Sequence, residues 1–485
     1  MEQTRFRCHI SIILNKIGAV LVFLGLLLYN NLDNVIEFLK SGRLSGGKIL
    51  PASVLTLAAA FFYTVYHFMR WYKTWIMFED ESIVIERNTL NRKVNTIGMK
   101  NISNVNLEQN LFQRLLHVYQ VKLDTNSAST ANTTDVNIVL SEERARAFQQ
   151  TVLEHLGKGR AVEKAKGQVE APDITYSGAE VVKHCLSTLK ISWLLIGVAA
   201  AVFAVIGLSQ RLHEAADLVD ILGGSLAVLA FLITTIWNLV GDFFRLYDFR
   251  ARRSGNKLYL SHGLLKRQEY MIPVEKINSV IIRQNLMARI LKRQYVELVC
   301  VGLGDEKREG TQIMLASKKE DLEKNMKLLL PEYEKESRLP LKKQPTASIY
   351  CKIPGYLIQL VICMIGAVLV HRLKPEWLPA EIAVVAVLIV YRVCYEVLRY
   401  QTIGFYCDEE GLAIADGVFT KRIVYIRYDK LQILRTKQGP FYSHCGLYQG
   451  ELKILAAALF SIYFTGFYSG EMFERIHQGM LSARG

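Results

Sequence analysis

A chain of 485 residues that is 51% hydrophobic, with several uncharged runs about twenty residues long, is too apolar for a soluble enzyme and reads as a multipass membrane protein. Its 59 Lys and Arg against 45 Asp and Glu give a formal charge of +14, but the basic residues are spread along the edges of the apolar runs. That spread argues against nucleic acid as a partner, and the eight cysteines, with no CxxC pair and no histidine at metal-ligand spacing, argue against a disulfide framework or a metal site.

In chain order, the first apolar segment is Ile17–Tyr29, extended upstream by Ile10–Leu14 and preceded by Arg5, Arg7 and Lys16. This start imitates a secretory signal, but no small-residue cleavage site follows, so it is expected to be a retained anchor. Further segments at Ile49–Phe68, Ile191–Leu208, Ile221–Val240, Ile353–Val370 and Ala380–Leu398 predict six transmembrane helices in three pairs. The predicted organisation is helix pair 10–70, domain 71–157, linker 158–186, helix pair 187–244, domain 245–331, linker 332–351, helix pair 352–399 and domain 400–485. The connections inside the pairs, Asn30–Lys48, Ser209–Asp220 and His371–Pro379, hold only six of the 59 basic residues. The positive-inside bias therefore predicts that both termini and all three polar domains are cytoplasmic.

The polar domains are copies of one another. Residues 83–123 align without gaps on 258–298 at a shift of 175, with twelve of 41 positions identical, among them Arg92/Arg267, Arg114/Arg289 and Gln109-Asn110-Leu111 against Gln284-Asn285-Leu286. A further shift of 154 reaches a more divergent third repeat, through Gly263/Gly417, Lys276/Lys430, Gln284/Gln438 and Glu297/Glu451. In repeat two, strands are predicted at Lys257–Ser261, Gln268–Ile272, Ile277–Ile282, Tyr295–Val301 and Gln312–Leu315, with a turn at His262-Gly263. The helix predicted over 318–330 places Leu322, Met326 and Leu329 on one face, and the same strand-then-helix ending recurs at Val136–Leu140 with Glu142–Leu156 and at Tyr463–Phe467 with Glu471–Leu481. The apolar run Ile454–Tyr468 is about fifteen residues long, short for a span, and is expected to be domain core.

These features, with the segment IPVEKINSVIIRQNLMARIL from Ile272 and the opening RFRCHISIILNKIG from Arg5, resemble the bacterial pleckstrin-homology-like domain of YdbT-type membrane proteins. The resemblance covers essentially the whole chain. It implies an α+β membrane protein in which each helix pair is followed by a small cytoplasmic β-barrel of about seven strands with a C-terminal helix, in a bacterial plasma membrane. No catalytic residue is attached to that fold. Repeat three departs from the pattern with Gly439-Pro440 in place of Asn-Leu and Ser443 in place of the arginine.

A search for chemistry agrees with a non-enzyme. Gly42 to Lys48 has phosphate-loop spacing, but Ile49 stands where a magnesium-binding hydroxyl belongs and no strand precedes it; HExxH, GxSxG and GxGxxG are absent. No cofactor is expected. Arg92, Lys93, Arg250, Arg252, Arg253, Arg267, Lys421 and Arg422 are candidate contacts for an anionic inner leaflet or a protein partner, each worth about 1 kcal/mol when close to the surface. A second candidate is intramembrane: His67, Asp242 and Glu396 occupy aligned positions, each three residues before Arg70, Arg245 and Arg399, and so share a helical face with them. Arg392 lies one turn before Glu396, and charges at such positions are functional candidates because their desolvation is costly.

The favoured reading is a membrane scaffold or binding protein whose tandem domains engage inner-leaflet lipid or a protein partner in the same membrane, in envelope stress or resistance to membrane-active compounds. Tandem domains would add avidity, and a homo-oligomer is compatible with this. The alternatives are a transporter or exporter component with a site between helix pairs, and an enzyme acting on lipid-linked substrates, for which no acid–base pair is visible.

Overall fold

The computed structural model of the chain describes residues 5–13, 50–79, 82–88, 91–99, 102–125, 136–156, 171–189, 240–300, 311–333, 339–373, 378–456 and 459–483, with a few isolated positions between them. The expected span Ile191–Leu208, most of Ile17–Tyr29 and Ile221–Val240, and the connections Asn30–Lys48 and Ser209–Asp220 lie outside the described residues. Helices Leu50–Tyr72, Ile353–Leu373 and Leu378–Thr402 occupy the positions of the second, fifth and sixth expected spans. Among the described residues, one helix, Ala347–Arg372, is long and apolar enough to cross a bilayer, and none of its apolar stretch is buried.

The chain forms two compact units. The first comprises Met1–Val169 together with Leu265–Tyr270. Its strands are β1 (Arg5–Phe6), β2 (Thr74–Glu79), β3 (Ser82–Asn88), β4 (Arg92–Gly98), β5 (Ile102–Asn110), β6 (Val118–Thr125) and β7 (Val136–Ser141). One antiparallel sheet runs β1-β2-β3-β4. A second runs β7-β6-β5, and β5 then takes on its free side the first part of a strand from repeat two. Alternate side chains of both sheets, including Ile83, Ile85, Val105, Leu107, Val121 and Leu123, meet in one core, closed by Ala145, Phe148 and Val152 of the helix Glu142–Leu156. Asn110 and Gln113 form a reciprocal capping box on the short helix Leu111–Leu115. His117 beyond it has φ +52°, as has its repeat-two counterpart Lys292.

The second unit comprises Glu170–Leu264 and Met271–Gly485. Repeat two forms β8 (Ile174–Thr175), β9 (Arg250–Ser254), β10 (Lys257–His262), β11 (Lys266–Pro273, its first five residues in the first unit), β12 (Ile277–Gln284), β13 (Gln294–Cys300) and β14 (Thr311–Ser317). Repeat three contributes β15 (Lys342–Lys343), β16 (Gly404–Cys407), β17 (Gly411–Asp416), β18 (Lys421–Arg427), β19 (Leu431–Lys437), β20 (Leu447–Ala456) and β21 (Leu459–Ser469). A seven-stranded sheet β14-β13-β12-β18-β17-β16-β15 spans repeats two and three, and β19-β20-β21 forms a separate sheet. The described residues of the run Ile454–Tyr468 are thus strand, β20 and β21 pairing from Leu447↔Ser469 to Ala456↔Leu459. The terminal helices pack as their periodicity predicts: Leu322, Met326 and Leu329 of Lys319–Leu329 are buried, as are Phe473, Ile476 and Met480 of Gly470–Ser482. Gly417 turns at φ +100°, where a Cβ would stand 1.8 Å from the Thr420 carbonyl oxygen, so no other residue fits the close return of β17 into β18.

Two features were not foreseen. The second half of the expected linker 158–186 carries β8 and a helix, Gly178–Thr188, capped by Ser177 and Glu180, with Val181, His184 and Cys185 buried. His184 Nδ1 accepts a bond from Ala316 N at 2.9 Å. The short strands β1, β8 and β15 each pair with the first long strand of the domain that follows, β2, β9 and β16. Each domain therefore recruits the chain that precedes its helix pair. The second feature is the pairing of strands from different repeats, β5 with β11 and β12 with β18.

Candidate membrane-edge sites

The helix Leu50–Tyr72 delivers Trp71 and Tyr72 to the mouth of the first domain. Trp71 Nε1 donates to the Cys8 carbonyl at 2.8 Å, and His9 N donates to the Val139 carbonyl at 2.6 Å, so the N-terminal segment is fastened on both sides. In the extended β1 register, Arg5 and Arg7 flank Phe6 and project to the face opposite it. Phe6 packs inward on Phe78, 5.9 Å between ring centroids. The Arg7 guanidinium lies 3.8 Å from the Trp75 ring and 4.3 Å from Tyr72, and Arg5 lies 4.3 Å from Trp75. Arg144, Phe148 and Thr151 of the helix Glu142–Leu156 form the facing wall of an open cleft of about 870 Å³. Stacked guanidiniums keep their edges for an anion. Arg5 also meets Glu86 at 3.6 Å, while Arg7 Nε is buried with no hydrogen-bond partner among the described residues. In sequence Arg5 and Arg7 stand only as flanking charge; their alternation around Phe6 is the local signal, while Trp71 ends the helix and Trp75 lies in β2.

The eight nominated basic residues divide into three groups. Arg250 pairs with Asp248 at 2.9 Å, and Arg252 stacks on Tyr259 at 5.0 Å. Arg253 is 16% exposed and its fork is taken by both oxygens of Glu332, with Nη1 also donating to the Leu329 carbonyl at 3.0 Å; Arg253 holds the Glu332 carboxyl below its ordinary range. Arg267, Lys421 and Arg422 lie where repeats join: Arg267 is opposite Gln109, Lys421 opposite Gln284 and Arg422 opposite Arg283. Burial, with Arg289 nearby, lowers the Lys421 pKa. Arg289 itself donates to the Val418 carbonyl at 2.8 Å. Arg92 and Lys93, the matching positions of repeat one, are exposed on β4, with Arg92 bonded to Glu86 at 3.0 Å.

The polar positions at the expected span ends come together differently in each repeat. His67 packs at a tilt against Tyr63, 4.4 Å between ring centroids, and the Arg70 carbonyl accepts from Thr74 Oγ1 at 2.5 Å. Asp242 and Arg245 form the pair that three-residue spacing predicts, at 3.0 Å. Glu396 turns instead to Lys352, at 2.9 Å, and to Arg392, at 3.3 Å, while the Arg399 carbonyl accepts from Ile403 N. The Arg392 guanidinium lies over Tyr356 at 4.8 Å and near Tyr395 at 5.6 Å. Lys352 precedes the fifth expected span and is 44 residues from Glu396, a distance that no local spacing rule bridges.

A family model described as Bacterial PH domain matches the chain three times, at residues 18–156, 193–330 and 360–471. The chain is 24% identical over 295 residues to the UPF0699 transmembrane protein YdbT of Bacillus subtilis strain 168. That match covers 56% of the chain and 60% of the relative, less than two thirds of the relative's length. No solved structure matches.

Proposed function

Because this chain belongs to the bacterial PH domain family and is of the YdbT type, we propose that it is a non-enzymatic multipass membrane scaffold whose tandem cytoplasmic domains hold anionic phospholipid at the inner leaflet. In this reading six helices in three pairs cross a bacterial plasma membrane, with both termini in the cytoplasm. The observation that carries it is the cleft of Arg5 and Arg7 stacked on Trp75 and Tyr72, directly after the helix Leu50–Tyr72. Aromatic rings at the end of an apolar helix belong at headgroup depth, and guanidiniums there meet phosphate. Phe61, Phe62 and Tyr66 of that helix are exposed, as a lipid-facing surface requires.

The test is lipid identification by mass spectrometry on the full chain extracted in polymer-bounded native discs. Anionic lipid is expected to be enriched over the bulk membrane, and Arg5→Gln/Arg7→Gln to reduce that enrichment several-fold. Equal enrichment in both would overturn the reading. Its topology is tested by cysteines added at Ala215, expected to react with an impermeant thiol reagent outside intact cells, and at Ser127, expected not to; labelling at Ser127 would reverse the orientation.

The Lys352–Glu396–Arg392 cluster favours a second reading, a transporter component with a site between helix pairs. A variant Arg392→Met/Glu396→Leu that inserts and folds but abolishes the wild-type cellular phenotype would support it over the scaffold.

A further inference from the structure

The two junctions between repeats use one register. At the first, Gln109 faces Arg267 and Glu108 faces Gln268. At the second, Gln284 faces Lys421 and Arg283 faces Arg422. The shift of 175 carries Gln109 onto Gln284, and the shift of 154 carries Arg267 onto Lys421, so these are the same pairing made twice. In each, the β5-type edge of one repeat receives the β4-type edge of the next.

Three repeats joined in this way leave one edge of each type over. β4 ends the sheet β1-β2-β3-β4 and β19 ends the sheet β19-β20-β21, and no described strand pairs with the outer side of either. Of the counterparts, β12 is largely buried and β18 exposes only Arg427, whereas β4 is exposed from Arg92 to Thr96 and β19 is exposed over most of its length, with Val94 and Ile433 at 50% and 40%. Unpaired N–H and C=O groups along a strand edge are a template for another strand.

We propose that β4 of one chain adds to β19 of a second copy of the same chain, forming a third, intermolecular junction in the register of the two internal ones. The repeat shifts specify it: Arg92 opposite Gln438, Lys93 opposite Lys437, Val94 opposite Thr436, Asn95 opposite Arg435 and Thr96 opposite Leu434. Facing cations have a precedent, since Arg283 and Arg422 face each other at the second junction with Glu297 at 2.7 Å and Asp416 at 3.8 Å beside them. At the open edges Lys437 brings Glu451, at 2.8 Å, and Arg92 brings Glu86. The contact joins unlike surfaces, so it builds rings or rows of chains in the membrane plane rather than two-fold dimers.

The experiment uses two full-length chains with different tags, one Val94→Cys and the other Thr436→Cys, co-expressed and oxidised in native membranes, with unsubstituted chains giving the background from native cysteines. A disulfide-linked species carrying both tags is expected, several-fold above the off-register combination of Val94→Cys with Leu434→Cys. Val94 and Thr436 lie on exposed strands, so both chains should fold. Three results would overturn the proposal: no doubly tagged species above background, equal yield from the off-register combination, or, in a chain carrying both substitutions, a linkage formed only within that chain.

Discussion

The two internal junctions share a register but are held by different forces. Where β11 joins β5, the contact is polar: the buried Glu108 carboxylate accepts from Lys122 at 2.8 Å, Lys266 at 2.8 Å and Gln268 at 3.1 Å, and Arg146 lies 3.6 Å from Glu269. Where β18 joins β12, the centre of the contact is apolar and the charged Arg283–Arg422 pair stands at one end: Ile281 of repeat two is fully buried in a core shared with Val424, Ile426, Leu412 and Leu452 of repeat three. Backbone edges and the repeat geometry set the register, while side chains set strength and sensitivity to conditions. An apolar seam is non-directional and indifferent to pH. A carboxylate seam depends on keeping its charge and its partners together.

That contrast is open to direct attack. The largest effect is expected from Ile281→Ala, which opens a cavity in the shared core and should cost about 2–5 kcal/mol. Amide exchange is expected to accelerate in residues 277–284 and 421–427, while strands β5 and β6 stay protected. Next comes Glu108→Gln, which removes the charge that gathers two lysines; a buried charged hydrogen bond lost in this way costs about 1–3 kcal/mol. Here exchange should quicken over 105–110 and leave the second junction unchanged.

Acid should reproduce the second result without a mutation. Burial alone would raise the Glu108 pKa, but Lys122 and Lys266 hold it below the ordinary 4.5. A depressed carboxyl contributes stability that is present above its unfolded pKa and is lost as pH falls through the lower folded value. Exchange in β5 should therefore rise relative to β12 as pH drops below about 4.5, and Glu108→Gln should remove that difference. The smallest effect is expected from Arg92→Gln: an exposed ion pair with Glu86 is worth about 0.2–1 kcal/mol, so thermal unfolding should hardly move.

The local elements were legible because their causes are local. Period-two alternation marked β10, His262-Gly263 marked the turn that follows it, and Leu322, Met326 and Leu329 marked the buried face of a helix. The repeat shifts marked which strands correspond, but not that corresponding edges pair across repeats. That choice depends on which strand edge is left free once each domain has closed. Arg267, Lys421 and Arg422 therefore read as surface charge in sequence and stand at junctions in the fold. Arg253 misled in the same way, because Glu332 is 79 residues away. The stretches before the second and third helix pairs read as linkers because β8 and β15 are only two residues long, too short to carry a pattern. Lys352 reads in sequence only as a charge flanking a span, because its contact with Glu396, 44 residues away, has no sequence period.

The most direct test of the claim that repeats join edge to edge in a fixed register is a pair of cysteines across the second junction of the full chain. Gln284 and Lys421 are direct partners, and facing residues in an antiparallel pair have Cβ atoms about 4.5–5.5 Å apart, near enough for a disulfide to form. Under mild oxidation in native membranes, Gln284→Cys/Lys421→Cys is expected to form an intrachain disulfide, identified by peptide mass spectrometry, several-fold faster than the displaced pair Gln284→Cys/Ile423→Cys. Equal rates for the two pairs, or no 284–421 linkage in the folded chain, would contradict the account.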